Sequence, residues 1–193
     1  MDRDNPSDVY GVLETLGEPE IAWWADMYPI WGVEAAQAFI TWGNENKKGI
    51  TQYAVYGKES GEMLGIIQVK KTHVPDISIA ELGYAMCYEG RGKGYMTEAV
   101  KAVCGMLFED PVMTEIRCDI LPFNEASMGV ATRCGFARVE KKWYERDTRN
   151  IDDYYLEEYV LKANEYRKRK AGFDFSYLDR IAEEEDLYER LAA

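Results

Sequence analysis

The sequence predicts an α+β fold, in which a mixed but mostly antiparallel sheet is flanked by helices and followed by a C-terminal helical appendage. Three observations lead to this class. The 193 residues are 47% hydrophobic, and no Pro/Gly/Ser-rich linker divides them, which suits a single core. Residues 52–87 contain three successive strand patterns, typical of an antiparallel meander. An amphipathic helical pattern then separates the third strand from a fourth, as in a crossover connection.

The individual elements are predicted from the period at which apolar residues recur. Strands are expected at residues 52–56, 63–69, 77–87, 113–121, 136–144 and 153–161. Helices are expected at residues 7–16, 34–44 and 124–134, and from residue 95 to before Pro111. The last of these carries apolar residues at helical spacing: Met96, Ala99, Val100, Val103, Cys104, Leu107 and Phe108. Turns are expected at residues 75–76 and 147–150, whose Pro, Asp and Asn favour tight bends.

The composition changes after residue 162. A basic cluster at residues 162–170 is followed by a mostly acidic stretch, 174–190, whose apolar residues could line one side of a helix. We therefore predict a main domain at residues 1–162 and a C-terminal helical extension at 163–193. The extension would pack either on its own domain or on a second copy of the chain, forming a homodimer.

The charge of the chain bounds its partners and its location. A net charge of -12 argues against a nucleic-acid partner, because neutralising phosphates needs a basic surface. The same charge suits a cationic, amine-bearing substrate, although it also serves solubility. No apolar stretch approaches the roughly 18 residues of a membrane helix, and the acidic N-terminus is unlike a signal peptide. We therefore expect a cytoplasmic protein with no membrane partner.

The cysteines predict neither a metal site nor a disulfide scaffold. Cys87, Cys104, Cys118 and Cys134 are widely spaced with no CxxC pair, and the chain has a single histidine, His73. Zinc sites need several such ligands at short, regular spacings. We therefore expect no metal.

The stretch EGRGKGYMTEAV, residues 89–100, combines three glycines and two cations between a predicted strand and a predicted helix. A Walker A loop is excluded, because Tyr95 and Met96 stand where its Gly and Lys are required. The dinucleotide fingerprint is disfavoured, because its third glycine falls on Thr97 and the preceding strands form a hairpin meander. A different phosphate loop is therefore expected.

That loop has a clear physical basis. Its backbone amides, from residue 92 to 96, would point into one concavity at a helix N-terminus, which favours anions. Glycines there let phosphate oxygens approach the amides, while Arg91 and Lys93 add positive charge and Thr97 adds a hydroxyl. The pattern predicts a pyrophosphate-binding loop.

With this loop, the chain resembles the GNAT superfamily of acetyl-CoA-dependent N-acetyltransferases, and within it the RimJ/RimL-like branch. Arg91-Gly-Lys-Gly-Tyr-Met96 is similar to the family's Q/R-x-x-G-x-G/A loop. Further segments match the branch in the same order: Glu81-Leu-Gly-Tyr84, Thr97-Glu-Ala99, Asn124-Glu-Ala-Ser127, Gly135-Phe136 and Asp153-Tyr-Tyr-Leu156. The resemblance covers roughly residues 7–162 and implies the GNAT fold.

The sequence departs from the family at two places. Met96 replaces a small residue of the loop, and we expect it to narrow the space beside the phosphates. The family's first strand, of the form L-R-P, is either missing or replaced, because Met1 falls about where that strand would end.

The resemblance implies that acetyl-CoA is the co-substrate and that its acetyl group passes directly to a primary amine in a ternary complex. It assigns the acyl-pantetheine arm to Met86, Cys87, Asn124 and Ser127, with the Met86 amide facing the thioester oxygen. It assigns the phosphates to the loop residues Arg91, Gly92, Lys93, Gly94, Tyr95, Met96 and Thr97.

Two side chains are implied in proton transfer. Ser127 matches the serine proposed to protonate the departing thiolate, whereas the tyrosine that many family members use is replaced by Ala131. Glu81 is the expected base, acting through water on an ammonium substrate. The alternative, that Glu81 forms a structural ion pair or faces solvent, is equally open. A cysteine nucleophile is disfavoured, because no basic histidine accompanies Cys87 or Cys118.

The acceptor is expected near the aromatic residues that the resemblance places in its pocket: Trp23, Trp24, Tyr28, Trp31 and Tyr84. A protein N-terminus and a small molecule, such as an aminoglycoside or a polyamine, both stay open as acceptors. A function of another class also stays open, namely a CoA-binding sensor or interaction protein of the same fold that has lost turnover.

Overall fold

The computed structural model describes residues 1–25, 27–45, 49–74, 77–144 and 154–170. In these ranges the helices are α1 (Pro6–Leu16), α2 (Pro19–Trp24), α3 (Val33–Asn44), α4 (Tyr95–Leu107), α5 (Glu125–Cys134) and α6 (Ala163–Lys170). The strands are β1 (Ile50–Tyr56), β2 (Met63–Val74), β3 (Ile77–Met86), β4 (Met113–Ile120), β5 (Ala137–Tyr144) and β6 (Tyr154–Lys162). The predicted α+β class is confirmed. The turns predicted at residues 75–76 and 147–150 lie outside the described ranges.

Two elements differ from the sequence prediction. The helix α2 falls in the aromatic-rich segment between the first two predicted helices, and its six residues are too few to show a helical period. It begins at Pro19, a residue favoured at the first helical position. The strand β2 continues to Val74 instead of ending at residue 69, because its polar second half pairs with β3 as far as Ile77. Cross-strand pairing here outweighs the local pattern.

The six strands form one mixed sheet in the order β1-β2-β3-β4-β6-β5. Only β3 and β4 are parallel, and α4 makes the crossover between them. The other four pairs are antiparallel, so the predicted mixed sheet is confirmed. In this order β1 has a neighbour on one side only, so it is an edge strand. Within the described ranges no strand precedes β1 in the chain, so no segment there replaces the family's first strand.

Hydrophobic residues cover both faces of the sheet. On one face α4 and α5 pack over the centre, and the core there includes Val100, Leu107, Ile116 and Leu161. On the opposite face α1 packs over β2, and α3 packs against α1 and β1. The core there includes Val12, Ile40, Met63 and Ile66. The alternation of side chains along β2 and β3 supplies apolar residues to both cores.

The helix α6 packs against the C-terminal ends of α4 and α5. The Tyr166 ring lies 4.8 Å from the ring of Phe108, between centroids, and the Arg169 guanidinium donates to the Gly135 carbonyl at 3.0 Å. β6 ends at Lys162 and α6 begins at the next residue. The division of the chain at residue 162 into a domain and an extension stays a prediction. The remainder of that predicted extension, residues 171–193, lies outside the described ranges.

A buried carboxylate fixes α1 to the sheet. Asp8 is 1% exposed, and it accepts hydrogen bonds from the Tyr56 hydroxyl at 2.5 Å and from the Asp2 amide. Burial and the neighbouring Asp8 raise the pKa of Tyr56, so the hydroxyl remains a donor at neutral pH.

Replacing Asp8 with alanine should therefore lower the free energy of unfolding by about 2–4 kcal/mol, since it leaves those donors without an acceptor. Denaturation in urea measures the loss. Asp4→Ala is the matched control, because Asp4 is an exposed acid on the same N-terminal segment and its replacement should change stability by less than about 0.5 kcal/mol. Equal effects of the two variants would show that Asp8 does not anchor α1.

Candidate functional site

The parallel strands β3 and β4 separate halfway along their length. They are paired from Ser78 to Glu81 on β3 and from Met113 to Arg117 on β4. Beyond these residues β3 continues to Met86 and β4 to Ile120, but the two strands no longer pair with each other. A wedge-shaped gap therefore opens in the middle of the sheet, and we call it the splay.

Backbone amides of β3 face the splay. In an antiparallel ladder, successive amides point alternately to the two sides of a strand. The Cys87 amide donates to Leu64 of β2, whereas the Ser78 amide donates to Val112, on the side of β4. The amides of Tyr84 and Met86 share the direction of Ser78, and among the described residues they meet no strand partner. The sequence prediction included the Met86 amide but missed that of Tyr84, because the pairing register is a property of the folded sheet.

The glycine loop forms an open concavity at the N-terminus of α4. Gly92 and Gly94 have φ values of +73° and +82°, a backbone region that side chains rarely adopt. An added Cβ at either glycine would meet nothing within 4 Å, so the space above the loop is free for a ligand. No side chain caps the helix at Gly94, so its first amides remain available. These properties fit a pyrophosphate, which such a helix end attracts.

The two loop cations have different surroundings. Lys93 is exposed, and its Nζ lies 5.9 Å from the centroid of the Tyr95 ring. Arg91 instead donates to the Met86 carbonyl at 3.1 Å and forms an ion pair with Glu18 at 2.8 Å. Because Glu18 precedes α2, the pair ties the loop to the helices on the opposite side of the sheet. Arg91 therefore has a structural partner, and Lys93 is the freer charge.

The Met96 side chain does not narrow the loop as expected. It is only 7% exposed and packs in the core beneath α4 with Val100 and Cys104. Its position in the helical apolar period explains this direction, since Val100 follows one turn later. The residue contributes its amide to the cradle and its side chain to the core.

The N-terminus of α5 reaches the same region from the side of β4. The Asn124 side chain accepts from the Ser127 amide at 3.1 Å and so caps the helix. The Tyr84 hydroxyl donates to the Ser127 carbonyl at 2.9 Å. Burial raises the pKa of Tyr84, so the hydroxyl stays protonated at neutral pH. The structure therefore brings Ser127 next to a strand that borders the splay.

Glu81 lies at the base of the splay, in its last paired position. Its carboxylate forms an ion pair with Lys70, directly opposite on β2, at 3.2 Å, and both side chains are about half exposed. Arg117 on β4 is its register partner on the other side. This is the structural pairing that the sequence left open, with a lysine as the partner, and it coexists with access to solvent.

The predicted acceptor residues do not form one group. Trp31 lines a cleft of about 560 Å³ together with Tyr88. Trp23 and Trp24 contact each other edge to face at 4.6 Å, and Tyr28 is 68% exposed. Tyr84, as described above, lies at the splay. The carboxylates of Glu14, Glu18 and Glu89 also line the cleft, which gives it an acidic wall.

Burial keeps the four thiols in their neutral form. It raises the pKa of Cys104 to about 12 and that of Cys118 well above its ordinary value, and it also raises the pKa of Cys87 and Cys134. Because the thiolate is the nucleophile, none of them is activated for attack. This agrees with the interpretation of the cysteines as structural.

Thiol reactivity tests that interpretation. We expect the native protein to react with a thiol-specific reagent at least about tenfold more slowly than the unfolded chain, since burial and raised pKa values both oppose reaction. The native protein should also be incubated with acetyl-CoA labelled in its acetyl group and then denatured. We expect no label to remain attached to the protein. A rapidly reacting thiol together with retained label would instead indicate an acetyl-enzyme.

Within the described ranges, no group of three or more potential ligand side chains is arranged to hold a metal ion. Over the same residues, no helix has the length and apolar character needed to cross a bilayer.

The mixed sheet with its central splay and flanking helices has the fold of an acetyltransferase domain. The model of the family described as the acetyltransferase (GNAT) domain matches residues 4–137, which is more than half of the chain. The chain therefore belongs to the GNAT acetyltransferase family, and this membership implies acyl transfer that depends on acetyl-CoA.

Individual relatives are distant. The uncharacterized protein YkkB of Bacillus subtilis (strain 168) is 27% identical over 122 residues, which are 58% of this chain and 71% of YkkB. The spermidine N-acetyltransferase of Vibrio cholerae, solved with CoA and spermine, is 12% identical with a TM-score of 0.69, covering 84% of this chain and 94% of that one. A structure described as a candidate ribosomal-protein-serine acetyltransferase from Vibrio cholerae is 21% identical with a TM-score of 0.59, covering 68% and 76%. Both structural likenesses show the fold alone.

Proposed function

We propose that this protein is an N-acetyltransferase that transfers the acetyl group of acetyl-CoA directly to a primary amine. One observation carries the proposal: the glycine cradle at α4 and the free amides of β3 lie on one continuous segment, residues 84–96. Donors suited to the amides and the thioester of an extended carrier are thus followed along the chain by a phosphate anchor. Acetyl-CoA has this order of groups.

The proposed roles follow from these positions. The loop amides and Lys93 hold the phosphates, and Asn124 keeps an amide Nδ2 for the pantetheine arm. The amides of Tyr84 and Met86 are placed to stabilise the charge that develops on the thioester oxygen, a contribution no side-chain substitution removes. The acetyl donor supplies the activated carbonyl carbon.

Two proton movements complete the transfer. The amine nitrogen attacks the carbonyl carbon and loses a proton through water to Glu81, and the carbon–sulfur bond breaks. The Ser127 hydroxyl delivers a proton to the departing thiolate and is reprotonated through water, so that the products are the acetylamide and free CoA thiol. General acid and base catalysis of this kind contributes about 10²- to 10⁴-fold each.

The class of amine that accepts the acetyl group is defined less closely than the type of reaction. The acidic wall of the cleft at Glu14, Glu18 and Glu89 supports a cationic acceptor. The motifs of the RimJ/RimL-like branch, Glu81-Leu-Gly-Tyr84 and Asn124-Glu-Ala-Ser127, support a protein N-terminus. We place the reaction in the cytoplasm, where four unpaired cysteines remain reduced.

A CoA-binding protein without turnover is the second candidate. The ion pair between Glu81 and Lys70 favours it, because the pair gives this carboxylate a structural role that does not need catalysis.

Ligand-dependent melting and turnover together decide between the two candidates. Acetyl-CoA at about 100 times its Kd should stabilise the protein by about 2.7 kcal/mol and raise its Tm. Release of CoA thiol should then be measured with spermidine, with an aminoglycoside and with peptides that carry free N-termini. A Tm shift with turnover of one amine class supports the enzyme, and a shift with no turnover supports the binding protein. No shift with either CoA or acetyl-CoA would reject both.

A further inference from the structure

We propose that Tyr84 is a positioning residue for Ser127: its hydroxyl, bonded to the Ser127 carbonyl, sets the orientation of the serine that meets the sulfur of CoA. This inference rests on the proposed function of Ser127, and it gives Tyr84 a role other than the acceptor contact expected from the sequence. The argument starts from the way the free end of β3 is held.

The splay removes the ordinary support of β3. Up to Glu81 the strand is held on both sides, by β2 and by β4. Beyond that residue β4 has turned away, and one edge of β3 has no ladder. Within the described ranges, the hydrogen bond from Tyr84 to Ser127 is the side-chain link between this free segment and α5. It takes the place of the lost pairing while leaving the Tyr84 amide directed into the splay.

The same bond completes the support of Ser127. The serine amide is already held by the Asn124 side chain at 3.1 Å, and its carbonyl is held by Tyr84 at 2.9 Å. Both peptide groups that flank the Ser127 Cα are thus fixed from outside the helix. With the backbone fixed at both sides, the range of directions open to the hydroxyl is set by its χ1 rotamers alone. Both contacts are made by backbone atoms of Ser127, and its side chain also lies within hydrogen-bond reach of the Tyr84 hydroxyl.

The environment of Tyr84 suits a lasting bond. The ring packs against the core between the sheet, α4 and α5, near Cys118 and Cys134. In such surroundings a hydroxyl without a partner is costly, so the donor stays with its acceptor. Because the backbone amide and the side chain belong to one residue, Tyr84 links the geometry of the oxyanion donor on β3 to that of the proton donor on α5. A displacement of one is transmitted to the other.

The test uses the thiol of bound CoA as a probe and does not depend on an acceptor. A hydroxyl that donates to the thiolate favours the charged form and lowers the pKa of the bound thiol. Ultraviolet absorbance of the thiolate reports this pKa, and the raised pKa values of the protein thiols keep their own signal out of the lower part of the titration. We expect Tyr84→Phe and Ser127→Ala each to raise the pKa of bound CoA by about one unit, a tenfold shift in the thiol–thiolate equilibrium.

A double-mutant cycle separates positioning from general support. In the Ser127→Ala background, Tyr84→Phe should cause no further shift, because the group that it positions is absent. Binding of desulfo-CoA, which lacks the sulfur, should be the same in wild type and Tyr84→Phe within about twofold. Tyr53→Phe, which removes a hydroxyl from a half-buried tyrosine packed against the same core, is the control and should leave the bound thiol unchanged.

Four results would overturn the inference. The first is an unchanged thiol pKa in Tyr84→Phe while Ser127→Ala shifts it. The second is a shift in Tyr84→Phe that persists in full without Ser127. The third is a loss of desulfo-CoA affinity in Tyr84→Phe as large as its loss of CoA affinity, which would make Tyr84 part of the pocket wall. The fourth concerns Ser127 itself. If Ser127→Ala itself causes no shift, Ser127 does not contact the sulfur, and the positioning role falls with it. Failure of the proposed function has a different signature: either CoA and desulfo-CoA do not bind the wild-type protein, or they bind and no amine class is acetylated.

Discussion

Alanine at Gly94 is expected to weaken the binding of acetyl-CoA by about 10- to 100-fold. The residue occupies the left-handed region at φ +82° and stands immediately before α4. A Cβ there would project into the open space above the loop and hold phosphate oxygens away from the amides. The loss of one charge-assisted hydrogen bond corresponds to about 1.5–3 kcal/mol. Titration calorimetry with acetyl-CoA measures it.

The control for this variant must reproduce its backbone strain. Gly61, in the connection between β1 and β2, has φ +69° and equally open surroundings. Gly61→Ala should therefore lower the Tm about as much as Gly94→Ala while leaving the affinity for acetyl-CoA unchanged. If both variants lost affinity equally, the effect would come from global destabilisation, and the loop would not be the phosphate site.

Glutamine at Glu81 is expected to lower kcat by about 100-fold with little change in the Kd of acetyl-CoA, once an acceptor has been identified. The physical reason is that the amide cannot take the proton that the amine loses. Steady-state kinetics combined with calorimetry separate the two quantities.

The ion pair of Glu81 provides an internal control. Lys70→Met breaks the same pair but keeps the carboxylate. If Glu81 is the base, Lys70→Met should retain activity within about threefold, whereas Glu81→Gln should not. If the pair is structural, the two variants should behave alike in both stability and rate, and the base must then be sought elsewhere.

The conformation of the glycine loop could be predicted because the information there is local, whereas its binding of phosphates stays a prediction. Gly92 and Gly94 adopt positive φ values, which glycine allows, and Lys93 lies between them in the sequence. The burial of the Met96 side chain could also be predicted from the sequence, because Met96 shares the apolar period of Val100. The comparison with loops that carry a small residue at this position instead led to the expectation that Met96 narrows the loop. A helical period is here a better guide than a motif position.

Other parts of the site depend on contacts between residues far apart in the chain. The ion pair of Arg91 joins positions separated by 73 residues, and the bond from Tyr84 to Ser127 spans 43. Neither follows from a local pattern. The partner of Glu81 follows only from the register of β2 and β3, because a shift of one residue would have placed Lys70 on the other face of the sheet.

The splay also has an expected consequence for the stability of the ligand-free protein. Two strands that part inside a sheet leave backbone donors without protein partners, so the ligand-free protein gives up stability that a continuous ladder would have provided. A ligand that binds in the gap restores part of that stability by mass action, to the extent that the ligand concentration exceeds its Kd. If the ligand is acetyl-CoA, the resistance of this protein to unfolding and proteolysis rises and falls with the metabolic supply of acetyl groups. Protein abundance would then follow nutritional state without any dedicated regulator.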